Sequence, residues 1–177
     1  QGLHIFNVAD PANTSEVSSY DTPNDAQNVA VAGDYAYIYD QNQDFHIINV
    51  SNPANLFEAG FYGVPQYTYG FPLGIAVAGG YAYLASTNYG LRILDIANPA
   101  SPSLVNWTGG PAGNMTVAGN YLYVAAGGLH ILNITNPVSP TEVGSYDTGS
   151  ATGVAVAGKY AYVANGASGL RIINISD

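Results

Sequence analysis

At 177 residues the chain is long enough to bury a sizeable single core. Apolar residues make up 47% and charged residues only 8%, with twelve acidic side chains against three basic ones and a net charge of −9. Three scattered cations (Arg92, Lys159 and Arg171) cannot neutralise a phosphate backbone, which argues against nucleic acid and anionic membranes as partners. The lack of cysteine removes disulfides, thiol nucleophiles and zinc–thiolate sites.

No apolar run approaches the ~20 residues of a membrane span, so membrane insertion is not expected. No signal peptide is in view, and Gln1 is compatible with an N-terminus left by processing.

The chain opens on "GLHIFNVADP" (2–11), and the phrase returns as "DFHIINVSNP" (44–53), "GLRILDIANP" (90–99), "GLHILNITNP" (128–137) and "GLRIINISD" (169–177). Its second residues, Leu3, Phe45, Leu91, Leu129 and Leu170, are 42, 46, 38 and 41 positions apart. A second phrase keeps the same beat: "NVAVAGDYAYIYD" (28–40), "GIAVAGGYAYLAS" (74–86), "NMTVAGNYLYVAA" (114–126) and "GVAVAGKYAYVAN" (153–165). A looser third runs through "SEVSSYDT" (15–22), "LFEAGFYG" (56–63), "PSLVNWTG" (102–109) and "PTEVGSYDT" (140–148). Each phrase is a short alternating apolar run closed by Gly, Asp or Asn-Pro, which predicts strands. The glycines of "AG-x-Y" suit tight hairpins. Helix signals are absent.

Four strands per repeat of about 40–45 residues is the blade of a β-propeller. The predicted fold is therefore all-β, with about four four-stranded blades. An N-terminal strand pair (1–22) precedes three complete blades (26–63, 73–109 and 113–148) and an incomplete last blade (152–177). Alanines alternating with valines or tyrosines suggest that an alanine face of one blade receives a bulky face of the next.

The joined phrases "GLRILDIANPASP" and "GVAVAGKYAYVANGASGLRIINIS" resemble the LVIVD-repeat family of bacterial and archaeal surface propellers, over essentially the whole chain. The resemblance implies an extracellular location and no particular chemistry. The family's Asp after "LxIx" is kept only as Asp95; Asn7, Asn49, Asn133 and Asn174 stand in the other copies.

The out-of-phase ends leave open whether the ring closes on itself, the chain is part of a longer tandem array, or the N-terminal strands complete the last blade of another copy. The last reading makes Leu3, Ile5, Phe6, Val17, Tyr20, Leu170, Ile172 and Ile173 an assembly interface, with other copies of the chain as partners in a head-to-tail fibril or surface layer. Six N-x-[ST] triplets, at Asn13, Asn49, Asn106, Asn114, Asn133 and Asn174, exceed the roughly two expected by chance and are candidate acceptors of covalent N-glycans. Asn106 and Asn114 are the poorer sites. One precedes Trp107, and the other adjoins an inner strand.

His4, His46 and His130 recur a blade apart at one strand position and read as exposed residues rather than metal ligands. Asp21, Asp25, Asp40, Asp44 and Asp147 resemble turn signals more than the ordered oxygen spacing of a calcium loop, so no cofactor is expected, and Ca²⁺ at a blade edge is the one alternative. No nucleophile elbow or triad order is present, and no enzyme activity is expected. The loop "YGVPQYTYGFPLG" (62–74) breaks the beat. Its Tyr62, Tyr67, Tyr69 and Phe71 make a carbohydrate- or protein-binding loop the alternative function.

Overall fold

The computed structural model describes residues 2–64 and 70–176. It is all-β, a four-bladed β-propeller arrangement preceded by a two-stranded sheet of β1 (Leu3–Asn7) and β2 (Ser15–Tyr20). Blade 1 is β3 (Ala26–Ala32), β4 (Tyr35–Asp40), β5 (Phe45–Asn49) and β6 (Phe57–Tyr62), hydrogen-bonded in that order. Blade 2 repeats the meander with β7 (Pro72–Ala78), β8 (Tyr81–Ser86), β9 (Gly90–Asp95) and β10 (Ser103–Thr108).

In blade 3, β11 (Asn114–Ala118) pairs with β12 (Tyr121–Asn133), and β12 with β13 (Thr141–Ala151). β12 is two blade strands run together. It reverses at Gly127 (φ 74), and the Ile134 N–H then bonds the Asn120 carbonyl at 2.8 Å. The same closing bond joins Val50 to Asp34, Ile96 to Gly80 and Ile175 to Lys159 in the other blades. Blade 4 comprises β14 (Gly153–Ala157), β15 (Tyr160–Ala164) and β16 (Leu170–Asn174).

The turn between the first two strands of each blade places Gly33, Gly79, Gly119 and Gly158 at φ 56–59. An L side chain rarely adopts this left-handed conformation, which explains the repeated glycine.

The alanines are not gathered on one face, as the alternation had suggested. Cross-strand partners share a face, and the register pairs Ala30 with Tyr37 and Val31 with Ala36. Blades 1, 2 and 4 therefore have one face of inner alanines with second-strand tyrosines, and an opposite face whose inner Val31, Val77 and Val156 lie beside second-strand Ala36, Ala82 and Ala161; in blade 3 Thr116 joins Tyr123 and Val117 joins Leu122. The tyrosine face of one blade stacks on the valine face of the next. Three cores result. Tyr37, Tyr39, Phe45 and Ile47 meet Ile75, Ala82, Leu84 and Leu94 between blades 1 and 2. Tyr83, Leu91 and Ile93 meet Met115, Leu122 and Val124 between blades 2 and 3. Tyr123, Ala125 and Leu129 meet Ala161 and Val163 between blades 3 and 4. Each fully buried Leu, Ile or Phe contributes roughly 1.5–3 kcal/mol.

Inner strand β3 packs on β7, β7 on β11 and β11 on β14; among the described residues no comparable packing joins β14 to β3. Outer strands meet the Asn-Pro turn of the following blade. The Ser18 hydroxyl donates to the Pro53 carbonyl, and Asn106 Nδ2 donates to the Val138 carbonyl at 2.5 Å. At the remaining joint Gly60 lies so near Pro99 that a Cβ would collide with its carbonyl oxygen. Gly60→Ala should therefore destabilise the fold by about 1–3 kcal/mol through overpacking against backbone. Thermal unfolding should show a lowered Tm, and an unchanged Tm would refute the close approach.

Candidate functional site

All three histidines are paired with all three glutamates, each twelve residues on, from a blade's third strand to its outer strand. His4 Nδ1 lies 2.9 Å from Glu16 Oε1, His46 Nδ1 2.7 Å from Glu58 Oε1, and His130 Nδ1 2.9 Å from Glu142 Oε1. His4 is exposed and His130 half-buried, but His46 is 2% exposed, contrary to the reading of all three as exposed. The β4–β5 turn supplies a second carboxylate at 3.4 Å from His46 Nε2, Asp40 Oδ2, and the Phe61 ring leans over the imidazole at 5.0 Å.

Asp40 is itself fully buried. It accepts Asn24 Nδ2 at 3.0 Å and the backbone N–H groups of Asn42 and Asp44 at 2.9 and 2.8 Å. Arg92 of β9 reaches the same rim from blade 2. It donates to the Tyr39 hydroxyl at 2.5 Å and to Gln43 Oε1 at 3.2 Å, and stacks on the Tyr89 ring at 4.6 Å.

Burial opposes charge on His46, but hydrogen bonds to Asp40 and Glu58 outweigh it and hold its pKa above the ordinary 6.5. Burial likewise opposes ionisation of Asp40. The His46 bond and the donors around it win, and the carboxyl sits below its ordinary value. Asp44 is pushed up, chiefly by burial. Only an imidazolium can donate from both ring nitrogens, so the pair of carboxylates fixes the protonated form. Both ring nitrogens are thus engaged, and the ring has almost no exposed edge.

Asp40 Oδ1 and Asp147 Oδ1 are turned onto backbone N–H groups of their own turns. Among the described residues no group of three or more His, Cys, Asp or Glu is arranged to hold a metal.

The repeated Asn/Asp position has one local task. Asn7, Asn49, Asp95, Asn133 and Asn174 each accept, through Oδ1, the N–H two residues on, at 2.8–3.1 Å. Asn and Asp supply that oxygen equally well, which explains their exchange between copies. Of the candidate glycan acceptors, Asn13 and Asn174 are exposed, and Asn49 and Asn133 half-buried. Asn106 spends its Nδ2 on the blade 2–3 joint, and exposed Asn114 accepts the Val154 N–H at 3.1 Å across blades 3 and 4.

Of the candidate binding loop, Tyr62 is half-buried at the end of β6 and Phe71 exposed; Tyr67 and Tyr69 lie outside the described residues. The candidate assembly residues divide. Leu3, Ile5 and Tyr20 are half-buried, and Ile173 is packed against the blade 3–4 core. Leu170 and Ile172 are 63% and 60% exposed, although Phe45 and Ile47, at the same register in blade 1, are fully buried. Phe6 (52%), Val8 (64%) and Val17 are exposed as well. So are Val29 (56%) and Val31 (67%) on β3, whose counterpart Ile75 is buried. Sequence reading missed these valines, since nothing in the repeat marks which copy lacks a neighbour.

The LVIVD repeat matches residues 23–64, 73–107, 109–148 and 149–177. The chain belongs to the LVIVD-repeat family. The LVIVD-repeat chain is similar in structure to a functionally unknown protein from Desulfotomaculum acetoxidans (TM-score 0.79, 18% identity), covering 98% of this chain and 62% of that one. A protein from Lactobacillus plantarum is matched at TM-score 0.72 and 14% identity, over 98% of this chain and 63% of that one. The computationally designed Ika8 protein is matched at TM-score 0.66 and 9% identity, over 92% of this chain and 50% of that one. The chain thus spans half to about three-fifths of these three structures. No curated protein matches it.

The His46 cluster makes stability depend on pH with a defined sign. A raised histidine pKa contributes stability in full below 6.5 and loses it as pH rises through the raised value. The lowered Asp40 pKa contributes above 3.8 and loses its share as pH falls through the lowered value. Urea titrations from pH 5 to 9 should show wild-type stability falling with pH more steeply than in His46→Gln. Parallel curves would refute the assignment.

Proposed function

We propose that the protein is a non-catalytic, extracellular structural module that assembles head to tail with further copies of itself into a fibril or surface layer and carries N-glycans. The observation that carries this reading is the pair of open blade faces. Val29 on blade 1, Leu170 and Ile172 on blade 4, and Phe6 and Val8 on the leading hairpin sit at registers that blade 2 buries, and Val31 at one that blades 2 and 3 half-bury. Six large apolar side chains left in water on opposite sides of a repeat stack are complementary by construction, because the interior joints use the same residue types at the same registers. The two surfaces differ, so their contact is heterologous and propagates or closes a ring. The low charge of the chain favours a covalent hydrophilic coat, and the exposed turns at Asn13 and Asn174 are accessible places to attach one.

Light scattering of the purified chain should show multimers. Phe6→Asp/Val8→Asp should give monomers whose stability stays within about 0.5 kcal/mol of wild type, because both residues are exposed in the single chain. A wild-type chain monomeric at every concentration, or a double variant that assembles as well, would contradict the assembly. Protein from the native source should carry sugar-sized mass increments on peptides containing Asn13 or Asn174. Bare peptides there would remove the glycan part of the reading.

A further inference from the structure

The hairpin β1–β2 is already built as the outer half of a blade. Leu3 pairs with Tyr20 as Phe45 pairs with Tyr62, and the bulge between Ile5 and Phe6 repeats that between Ile47 and Ile48. It seats on blade 1 through the same outer-strand joint as the interior blades, Ser18 to Pro53. In blades 1 and 2 the strand equivalent to β1 pairs on its inner edge with a tyrosine-rich second strand. In the described sheet that edge of β1 is open. The two vacant strand positions lie over exposed Val29 and Val31, beside a cavity of about 270 Å³ lined by Leu3, Ala26, Val29 and Ile38 among others.

We propose that strands β14 and β15 of a second copy fill these positions, so that β1–β2 replaces that copy's β16 and completes a four-stranded composite blade. The inference rests on the head-to-tail assembly put forward above.

Three features select this occupant. Interior valine faces pack on inner-strand alanines and second-strand tyrosines, and blade 4 presents exposed Ala155 and Ala157 with Tyr160 and Tyr162. The segments LHIFN and LRIIN are near-copies, so the pairing of Tyr162 with Ile172 and Ala164 with Leu170 transfers to Ile5 and Leu3. Exchange also covers what the single chain leaves open. Phe6 and Val8 take the places of Ile173 and Ile175 against blade 3, and β1 brings β2 as the outer strand that β16 lacks. β16 gives up one ladder with β15, which β1 restores.

The cysteine-free sequence makes cross-linking a clean test. Ile5→Cys/Tyr162→Cys, oxidised at assembling concentration, should give a ladder of disulfide-linked copies on a non-reducing gel, with the 5–162 link found by peptide mapping. Phe6→Cys/Ile172→Cys should stay unlinked between copies. The reverse result, 6–172 links without 5–162 links, means that intact blade 4 stacks on the hairpin. That overturns the exchange while leaving head-to-tail assembly standing. Links in neither pair, with multimers present, also overturn it; absence of multimers removes the assembly reading itself. In the unmodified chain, amide exchange at 170–174 should speed up on assembly while 160–164 stays protected. Gained protection at 170–174 contradicts the proposal without any substitution.

Discussion

The structure depends on one packing rule: the tyrosine-bearing face of one blade receives the aliphatic, valine-bearing face of the next. The antiparallel register of the first two strands creates both faces at once, by setting Ala30 beside Tyr37 and Val31 beside Ala36. Because the complementarity lies within the repeat, each blade is a donor on one side and an acceptor on the other. Apolar burial of this kind is non-directional, so orientation comes from polar joints at the rim, where an outer strand meets the next Asn-Pro turn.

The same rule accounts for the composition. With both faces of each interior blade covered, few positions need charge, and the buried charges have local tasks. His46, Asp40 and Glu58 tie three strands of one blade, and Arg92 links blade 2 to the rim of blade 1. These interactions are buried and paired, and removing one partner strands the other in a low-dielectric setting. They constrain the geometry of the blades that they join.

Much of this was legible in the sequence. The 38–46-residue beat gave strand number and order, and glycine at 33, 79, 119 and 158 gave the hairpins. Periodicity could not reveal what differs between copies. His4, His46 and His130 occupy equivalent positions, yet only His46 is buried, because Asp40 and Phe61 close over it. The constant twelve-residue step from each His to a Glu was a usable signal for the cross-strand pairs. Alternation alone also misplaced the alanines, since the face each one joins is set by cross-strand register. The exposure of Val29, Val31, Leu170 and Ile172 reflects which blades lack a neighbour, a property of the stack and not of any repeat.

Cryo-electron microscopy of the assembled protein tests the central claim, that unsatisfied blade faces pair between copies. The account predicts a density map in which Val29 and Val31 of one chain are covered by the alanine–tyrosine face of β14 and β15 from the next. A discrete single-chain ring with β3 packed on its own β14 would contradict it.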